Sequence, residues 1–236
     1  MKTLLILTLA LASCSTTSTT GAPGPRWSSS KTYAPKDTIV LRSVADWPDG
    51  VGTIRKEHGQ TVIDGGQMWR ISGSKMPGKC DQKESNEPVI RIQMPNVTLR
   101  GFEIYESKDG ITTNKPGTVF EDLIFLKICE DAINPMAGSD GGSVRRCYFK
   151  GAYDKTLQWN AAKDVHITNN VFIGGINAIR LMGTSSDDVE ANRFYGNETA
   201  IQVTRKGVLN VRPAINLFYG VGQKFKTEDG GVINFK

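Results

Sequence analysis

The sequence predicts an all-β fold, a parallel β-helix in which the chain winds as a single-stranded solenoid. Two observations predict it. Aliphatic positions return at intervals of 22, 24, 22 and 22 residues between about residues 96 and 220, a period typical of repeat folds. Each unit holds short alternating apolar segments and turn residues, without the three- and four-residue spacing of a helix. The repeated positions are Ile111, Ile133, Leu157, Ile179 and Ile201.

The first 14 residues resemble the signal peptide of a bacterial lipoprotein. Lys2 supplies a positive start, residues 3–12 form an apolar run too short to span a bilayer, and small residues precede Cys14. In that interpretation Cys14 becomes a lipidated N-terminus, and its lipid is the only contact with a membrane. The alternative is an ordinary secretory signal in which Cys14 has no role. Either one predicts export, as a lipoprotein of the bacterial cell envelope or as a secreted protein.

A tether and one domain follow the predicted signal. Residues 15–35 are rich in Ser, Thr, Gly and Pro, which predicts a flexible segment. Residues 36–236 form the β-helix domain, and a chain that is 39% hydrophobic and 22% charged has enough apolar residues for one core. Because a solenoid exposes apolar ends unless they are capped, we expect residues 36–59 and 225–235 to close the two ends.

The charge distribution favours a polysaccharide partner over a nucleic acid. The net charge is +5, the cations are mixed with acids along the chain, and no nucleic-acid-binding motif is present. A modest positive charge on an exported protein suits an acidic polysaccharide. We expect the pairs Arg145–Arg146 and Arg205–Lys206 to be solvated surface residues, and the protein to be a monomer.

Cysteine and histidine chemistry is not expected to carry the function. With Cys14 acylated, Cys80, Cys129 and Cys147 remain, and their positions give no reason to pair them, so buried thiols are expected. His58 and His166 lie outside the repeated column, which leaves a Ser/His/Asp triad without support.

The repeats also predict the core and the turns. Inward aliphatic residues of successive coils should stack about 4.8 Å apart. Asn169, Asn170 and Asn192, with several glycines, supply residues that tolerate the left-handed backbone of tight turns. The 24-residue unit carries its extra length at residues 137–142, a loop by composition.

Polar residues flank the repeated aliphatic positions in two rows, with small residues between. We expect an open, grooved face on which an extended polymer can lie, with the first row at the strand entrances. Asn134, Gln158 and Asn177 are the expected substrate-binding amides. The first row is Asp109, Asp131, Lys155, Asn177 and Thr199, and the second is Thr112, Asn134, Gln158, Arg180 and Gln202.

Three acids of this face suggest a metal site. Stacking places the backbone of Asp109 within about 5 Å of that of Asp131, and Glu130 precedes Asp131 in the chain. Clustered carboxylates repel one another unless they are protonated or bridged by a cation, and their hard oxygens suit Ca²⁺. Water or a substrate carboxylate would complete the coordination.

The next coils add two cations, Lys155 and Arg180. An amine beside a guanidinium has a lowered pKa and can accept a proton more readily, while the guanidinium can grip a carboxylate. A metal, a base and an anion clamp together suit β-elimination from a uronate. The alternative is that these charges only neutralise one another on an exposed β-face.

The ordered motifs resemble the pectate lyases of polysaccharide lyase family 3, over about residues 60–220. The similarity is divergent: Cys129 stands where the family has a glycine, Met136 lies near an expected lysine, and Trp159 replaces a smaller polar ring. The motifs are Thr61–Gly65, Glu87–Val89, Asn96–Val97, Asp109–Ile111, Glu130–Ala132, Asp154–Asn160 and Arg180.

The resemblance implies a right-handed parallel β-helix that cleaves polygalacturonate by Ca²⁺-dependent β-elimination. It implies that Asp109, Glu130 and Asp131 bind calcium, that Lys155 is the base, and that Arg180 binds substrate or stabilises charge. The leading hypothesis is therefore an exported, lipid-anchored lyase acting on an acidic uronate polymer. A non-catalytic carbohydrate-binding β-helix, a hydrolase on the same scaffold and a purely structural solenoid are the alternatives.

Overall fold

The computed structural model describes residues 38–40, 52–54, 62–72, 88–152 and 154–236. The predicted signal peptide, Cys14, the tether, Cys80 and most of the predicted N-terminal cap lie outside these residues. Within the described part, the chain forms 23 β-strands and a short 3-10 helix at Pro213–Ile215. No helix in these ranges has the length and apolar character needed to cross a membrane.

The strands form three sheets, and every strand pairing is parallel. The 12-stranded sheet contains β1 (Thr38–Val40), β3 (Val62–Ser72), β5 (Thr98–Tyr105), β7 (Val119–Glu121), β8 (Ile124–Leu126), β10 (Ser143–Arg145), β11 (Tyr148–Lys150), β13 (His166–Thr168), β14 (Val171–Ile173), β17 (Asp188–Glu190), β18 (Arg193–Tyr195) and β21 (Leu217–Tyr219). The 8-stranded sheet contains β2 (Gly52–Ile54), β4 (Pro88–Ile92), β6 (Asp109–Thr113), β9 (Ile133–Pro135), β12 (Lys155–Asn160), β15 (Asn177–Met182), β19 (Thr199–Thr204) and β22 (Gln223–Thr227). The 3-stranded sheet contains β16 (Ser185–Ser186), β20 (Val208–Val211) and β23 (Val232–Phe235).

The largest sheet divides into two faces at strand β5. Its first half, Thr98–Arg100, pairs with β7, and its second half, Glu103–Tyr105, pairs with β8. Gly101 lies at the division with φ 71°, a backbone conformation that glycine adopts without a steric penalty. Each of the next four coils, from β7 to β19, places one strand on each of these faces and one on the 8-stranded sheet, whereas the following coil places β20 in the 3-stranded sheet. The predicted parallel β-helix is confirmed.

Ladders of identical inward positions build the core. The five repeated aliphatic residues are at most 1% exposed, and each contributes roughly 1.5–3 kcal/mol by its burial. On another face, phenylalanine rings stack with centroids 4.9–5.2 Å apart and nearly parallel planes. This second ladder consists of Phe125, Phe149, Phe172, Phe194 and Phe218.

The extra loop at residues 137–142 accommodates one large core side chain. Trp159 is fully buried, and its indole N–H donates a hydrogen bond to Ser139 Oγ at 2.8 Å. A Cβ on Gly142 would lie 2.6 Å from the Trp159 ring. The loop thus supplies both the acceptor and the space that this indole needs.

Left-handed residues recur at equivalent turns, as predicted. Asn169 (φ 58°) and Ala191 (φ 54°) occupy the same turn in successive coils, 22 residues apart. The prediction that Asn170 and Asn192 are such turn residues is wrong. They form a buried ladder with Asn216, in which each side-chain oxygen accepts the backbone N–H of the preceding coil at 2.9–3.0 Å. The side-chain amides donate to main-chain carbonyls of the preceding coil. The ladder therefore satisfies buried backbone groups between successive coils.

The C-terminal end is closed by aromatic packing, as expected from residues 225–235. Phe225 packs edge-on against Phe218 at 5.5 Å and against Phe235 at 5.2 Å. Phe235 itself is 61% exposed, so the outermost ring of this cap remains in contact with water.

The expectation of a free thiol at Cys129 is wrong. Cys147 is a buried free thiol, as predicted, whereas Cys129 is disulfide-bonded. Arg145 and Arg146 are exposed, as predicted, and both also pair with the buried Glu121, at 2.7 and 3.0 Å. Arg146 also pairs with the buried Asp122 at 3.0 Å. Burying a carboxylate is costly without a partner. The two arginines of one coil therefore compensate the two buried acids of the preceding coil.

Candidate functional site

The 8-stranded sheet aligns the predicted polar rows. Thr112 pairs with Asn134, and Gln158 with Arg180, which in turn pairs with Gln202. The aliphatic positions beside them are in the same register. Stacking of the coils therefore carries polar side chains of distant sequence positions onto one outward face, as predicted.

The polar row continues at both ends with a cation that the sequence analysis missed. Arg91 pairs with Thr112 at one end, and Lys226 pairs with Gln202 at the other. The signal was present: Ile90 and Arg91 repeat Ile111 and Thr112 one coil earlier. The irregular sequence upstream of residue 96 concealed this coil.

An open cleft of about 710 Å³ lies on this face. It brings together six of the eight predicted catalytic, substrate-binding and metal-binding residues, while Asn177 and Arg180 are not part of its lining. It also gains an apolar side at Met136, Ala137 and Met182, and two cations at Arg91 and Arg205. The six predicted residues that line it are Asp109, Glu130, Asp131, Asn134, Lys155 and Gln158.

Two nearly buried carboxylates lie at the strand entrances of the cleft. Asp109 begins strand β6 and is 7% exposed, and Asp131 precedes β9 and is 5% exposed. The backbone N–H of Asp131 donates to Asp109 Oδ1 at 3.3 Å. Asp131 Oδ2 accepts from Asn134 Nδ2 at 2.7 Å and from Gln158 Nε2 at 3.4 Å. Two of the three expected substrate-binding amides therefore also orient this acid.

Both carboxylates resist ionisation. Burial raises the pKa of Asp109 to about 6, against the hydrogen bond from the Asp131 backbone, and the charge of Glu130 raises it further. Burial likewise raises the pKa of Asp131 to about 8, opposed by Lys155 and assisted by Asp109. Lys155 near both acids, and Lys108 near Asp109, offset only part of the effect of burial.

Glu130 is compensated differently from these two acids. Its carboxylate lies 3.6 Å from the ammonium of Lys108, whose side chain is 2% exposed. A buried ammonium requires such a partner. The sequence analysis did not identify Lys108, because its position in the repeat does not indicate that its side chain is buried against Glu130.

The acids satisfy part of what a calcium site requires. Asp131 Oδ1 is buried and has no hydrogen-bond partner among the described residues. An acceptor-only oxygen in that condition, beside a second carboxylate, suits a hard divalent cation. Across the described ranges, however, no three side chains of His, Cys, Asp or Glu converge as a complete metal cage. Asp109 and Asp131 fit a partial coordination shell that needs oxygen atoms from water or ligand.

Lys155 departs from its predicted electrostatics. Its ammonium lies 2.7 Å from Asp154 Oδ2, and its side chain is 16% exposed. Burial and the charge of Arg180 act to lower the pKa of Lys155, but the hydrogen bond to Asp154 and the charge of Asp131 outweigh them and raise it. The predicted lowering is therefore wrong, because the neighbouring acids act more strongly than the guanidinium.

Arg180 and Asn177 lie on the strand next to β12 and are not part of the cleft lining. Arg180 donates from Nη1 to Gln158 Oε1 at 3.5 Å, and its Nε is buried without a hydrogen-bond partner among the described residues. Asn177 pairs with Lys155 across β12 and β15. Arg180 therefore contacts a cleft residue, Gln158, and Asn177 lies next to another, Lys155.

The divergent positions differ in their effects. Trp159 points into the core and does not contact the cleft. Met136, by contrast, is 46% exposed and lines the cleft directly. Only the second of these replacements changes the surface that a ligand would meet.

An amine, two buried carboxylates, two amides and two arginines thus line one open cleft. A sequence model of the pectate lyase family matches residues 46–215, more than half of the 236-residue chain. No curated protein matches it significantly. The family match supports a polysaccharide lyase function in general. The chain belongs to the pectate lyase family.

Proposed function

We propose that this protein is an exported lyase that cleaves an acidic uronate polymer, such as pectate, by Ca²⁺-dependent β-elimination. The observation that carries the proposal is the placement of Lys155 with Asp109 and Asp131 in one cleft, from three successive coils. A structural solenoid has no need of an amine in register with two buried acids.

In this proposal Asp109 and Asp131 would hold the calcium ion, and Glu130 would add its negative charge beside them. The ion would neutralise the uronate carboxylate beside the reacting carbon, which makes the adjacent proton more acidic. The buried, unpartnered Oδ1 of Asp131 supports this role. Lys108 keeps Glu130 at the edge of the site through their ion pair at 3.6 Å.

Lys155 is the proposed base. Its amine takes the proton next to the carboxyl group, the C–H electrons form the new double bond, and the glycosidic oxygen leaves with a proton from water. Because the acids around Lys155 raise its pKa, only a small fraction is neutral near pH 7. Activity should therefore increase with pH through the alkaline range.

The remaining polar residues would bind and orient the polymer. Asn134 and Gln158 line the cleft and fix Asp131 Oδ2. Arg91 and Arg205 offer positive charge to uronate carboxylates along the groove. Arg180 would act through Gln158 and through its charge, and Asn177 through the neighbouring Lys155, rather than by contact with the substrate.

The direct test is formation of unsaturated, ultraviolet-absorbing ends from polygalacturonate and other uronates. We expect absorbance to rise with Ca²⁺, to stop on chelation, and to be lost in Lys155→Ala. Lys163→Ala serves as the matched control, because Lys163 is an exposed lysine outside the cleft lining. An absence of new absorbance on every uronate, with Ca²⁺ supplied, would rule out the lyase. Reducing ends without the chromophore would indicate a hydrolase instead.

A non-catalytic carbohydrate-binding protein is the second candidate. It is favoured by the pairing of Lys155 with Asp154 at 2.7 Å, which holds the amine as an ion pair. Binding to uronate polymers that survives Lys155→Ala, with no product from the unaltered protein, would support it.

We also propose that export proceeds through residues 1–14 and that Cys14 carries the lipid. The support is the apolar run that precedes Cys14. Metabolic labelling with a radioactive fatty acid should mark the full-length protein but not Cys14→Ser. Labelling of neither protein, with the signal still removed, would indicate an ordinary secretory signal.

A further inference from the structure

A buried lysine adjoins the acids of the cleft. Lys108 immediately precedes Asp109, and its side chain is 2% exposed. Its carbonyl accepts the backbone N–H of Glu130 at 2.9 Å, so the two residues are neighbours on successive coils. Its ammonium lies 3.6 Å from Glu130 Oε1. Because a buried ammonium is costly without negative charge beside it, Lys108 should keep this carboxylate close.

Glu130 lies close to the two buried carboxylates. It lines the cleft together with Asp109 and Asp131. Burial raises the pKa of Asp109, the charge of Glu130 raises it further, and the charge of Lys108 lowers it. The Glu130 side chain is 24% exposed, so packing does not fix it completely. A Glu130 released from Lys108 would therefore be in position to become a third carboxylate ligand of a calcium ion.

The ion pair between Lys108 and Glu130 opposes calcium binding in two ways. A carboxylate that accepts from an ammonium has fewer lone pairs free for a cation, and the ammonium itself repels a divalent ion held beside it. Calcium affinity depends on the number of charged ligands in the shell. With Glu130 paired to Lys108, the protein offers two carboxylates instead of three.

We propose that Lys108 is a positioning residue that withholds Glu130 from the calcium ion and so keeps the affinity of the free protein for Ca²⁺ low. This inference rests on the proposed calcium-dependent function. The place on the ion that Glu130 does not take stays open to a carboxylate of the polymer. Lys108 therefore favours the binding of calcium together with substrate over the binding of calcium alone.

The test is calorimetric titration of the full chain with Ca²⁺ in the absence of polymer. Lys108→Met removes the charge and keeps a side chain of similar length, and it should lower the Kd by about ten-fold. Lys163→Met is the matched control, because Lys163 is exposed and lies outside the cleft lining. Its Kd should stay within about two-fold of that of the unaltered protein, since salt screens an exposed charge.

The same substitution in a Glu130→Gln background separates release of Glu130 from loss of charge repulsion alone. No carboxylate can be released there, so Lys108→Met should lower the Kd by no more than about three-fold, the effect of one screened charge. Equal gains in the two backgrounds would overturn the inference. An unchanged Kd in Lys108→Met, or no measurable calcium binding by either protein, would also overturn it.

The unaltered protein answers the question even if Lys108→Met does not fold. In a crystal structure with bound Ca²⁺, Glu130 Oε1 should stay within about 4 Å of Lys108 Nζ. It should also lie outside the coordination shell, in which Ca–O distances are about 2.3–2.6 Å. Glu130 among the ligands of the ion would contradict the inference.

These measurements separate the inference from the lyase proposal, because none of them depends on catalysis. If no uronate yields unsaturated ends, the lyase proposal fails, and a lower Kd in Lys108→Met would still support the inference. If product forms but Lys108→Met binds calcium as the unaltered protein does, the lyase proposal stands and the inference fails.

Discussion

The calcium-free protein is expected to lose stability as the pH rises. Replacing Asp131 by Asn is expected to abolish most of that loss. Burial, opposed by the charge of Lys155 and assisted by that of Asp109, raises the pKa of this carboxyl from 3.8 to about 8. An acid with a raised folded-state pKa binds more protons when folded than when unfolded. Stability is then full below about pH 4, falls as the pH rises, and reaches its minimum above about pH 8.

The size of the effect follows from the pKa difference. About four pH units at about 1.4 kcal/mol each give an upper limit of about 6 kcal/mol. Water entry and relaxation around the charged group reduce this limit, so we expect about 2–4 kcal/mol. For a chain of 236 residues, that corresponds to about 5–10 °C in Tm.

The assay is thermal unfolding at pH 5, 7 and 9 in a chelator and in Ca²⁺. Without calcium, the unaltered protein should lose Tm between pH 5 and pH 9, and Asp131→Asn should lose much less. Asp109→Asn is the matched control, with a smaller effect because the pKa of Asp109 is raised only to about 6, chiefly by burial. Calcium should restore Tm at pH 9 in the unaltered protein, since the ion binds ionised acids. Equal pH dependence in the unaltered protein and Asp131→Asn would refute the argument that burial of this carboxyl outweighs the charge of Lys155.

Three further predictions concern the ladder, the core and the base. Asn192→Ala should lower the free energy of unfolding by about 2–4 kcal/mol, because it leaves the Asn170 backbone N–H and the Ile167 carbonyl unpaired; a loss below 1 kcal/mol in urea titration would contradict this. Gly142→Ala should cost about 1–3 kcal/mol, because its Cβ would lie 2.6 Å from the Trp159 ring, and the loss should shrink when Trp159→Phe is added. Lyase activity should rise steadily from pH 7 into the alkaline range, because the neighbouring acids, against burial, raise the pKa of Lys155, and a plateau already reached at pH 7 would contradict that assignment.

The sequence predicted the register of the site because the fold repeats. Once the aliphatic positions are 22 or 24 residues apart, stacking of the coils fixes which polar side chains become neighbours. Asp109, Asp131 and Lys155 therefore meet as predicted. The same reasoning places Gln158 beside Arg180. The repeat carries this information without any knowledge of side-chain conformation.

The direction in which a side chain points, and what it meets there, could not be predicted in the same way. Lys155 has a raised pKa because Asp154, its neighbour in the chain, turns toward it. Asn170 and Asn192 look like turn residues by type, yet they point inward as a ladder. Arg205 is exposed, as predicted, but its place in the cleft lining, from the turn after β19, was not predicted. Each outcome depends on local side-chain orientation, which the repeat period does not encode.

The most direct test of the central claim is a crystal structure of the protein soaked with Ca²⁺ and a uronate oligosaccharide. We expect a cation bound by Asp109 and Asp131, with Lys155 Nζ facing the carbon next to the sugar carboxyl group. A cation bound elsewhere, or an oligosaccharide lying on another face with Lys155 turned away from it, would contradict the assignment of this cleft as the catalytic site.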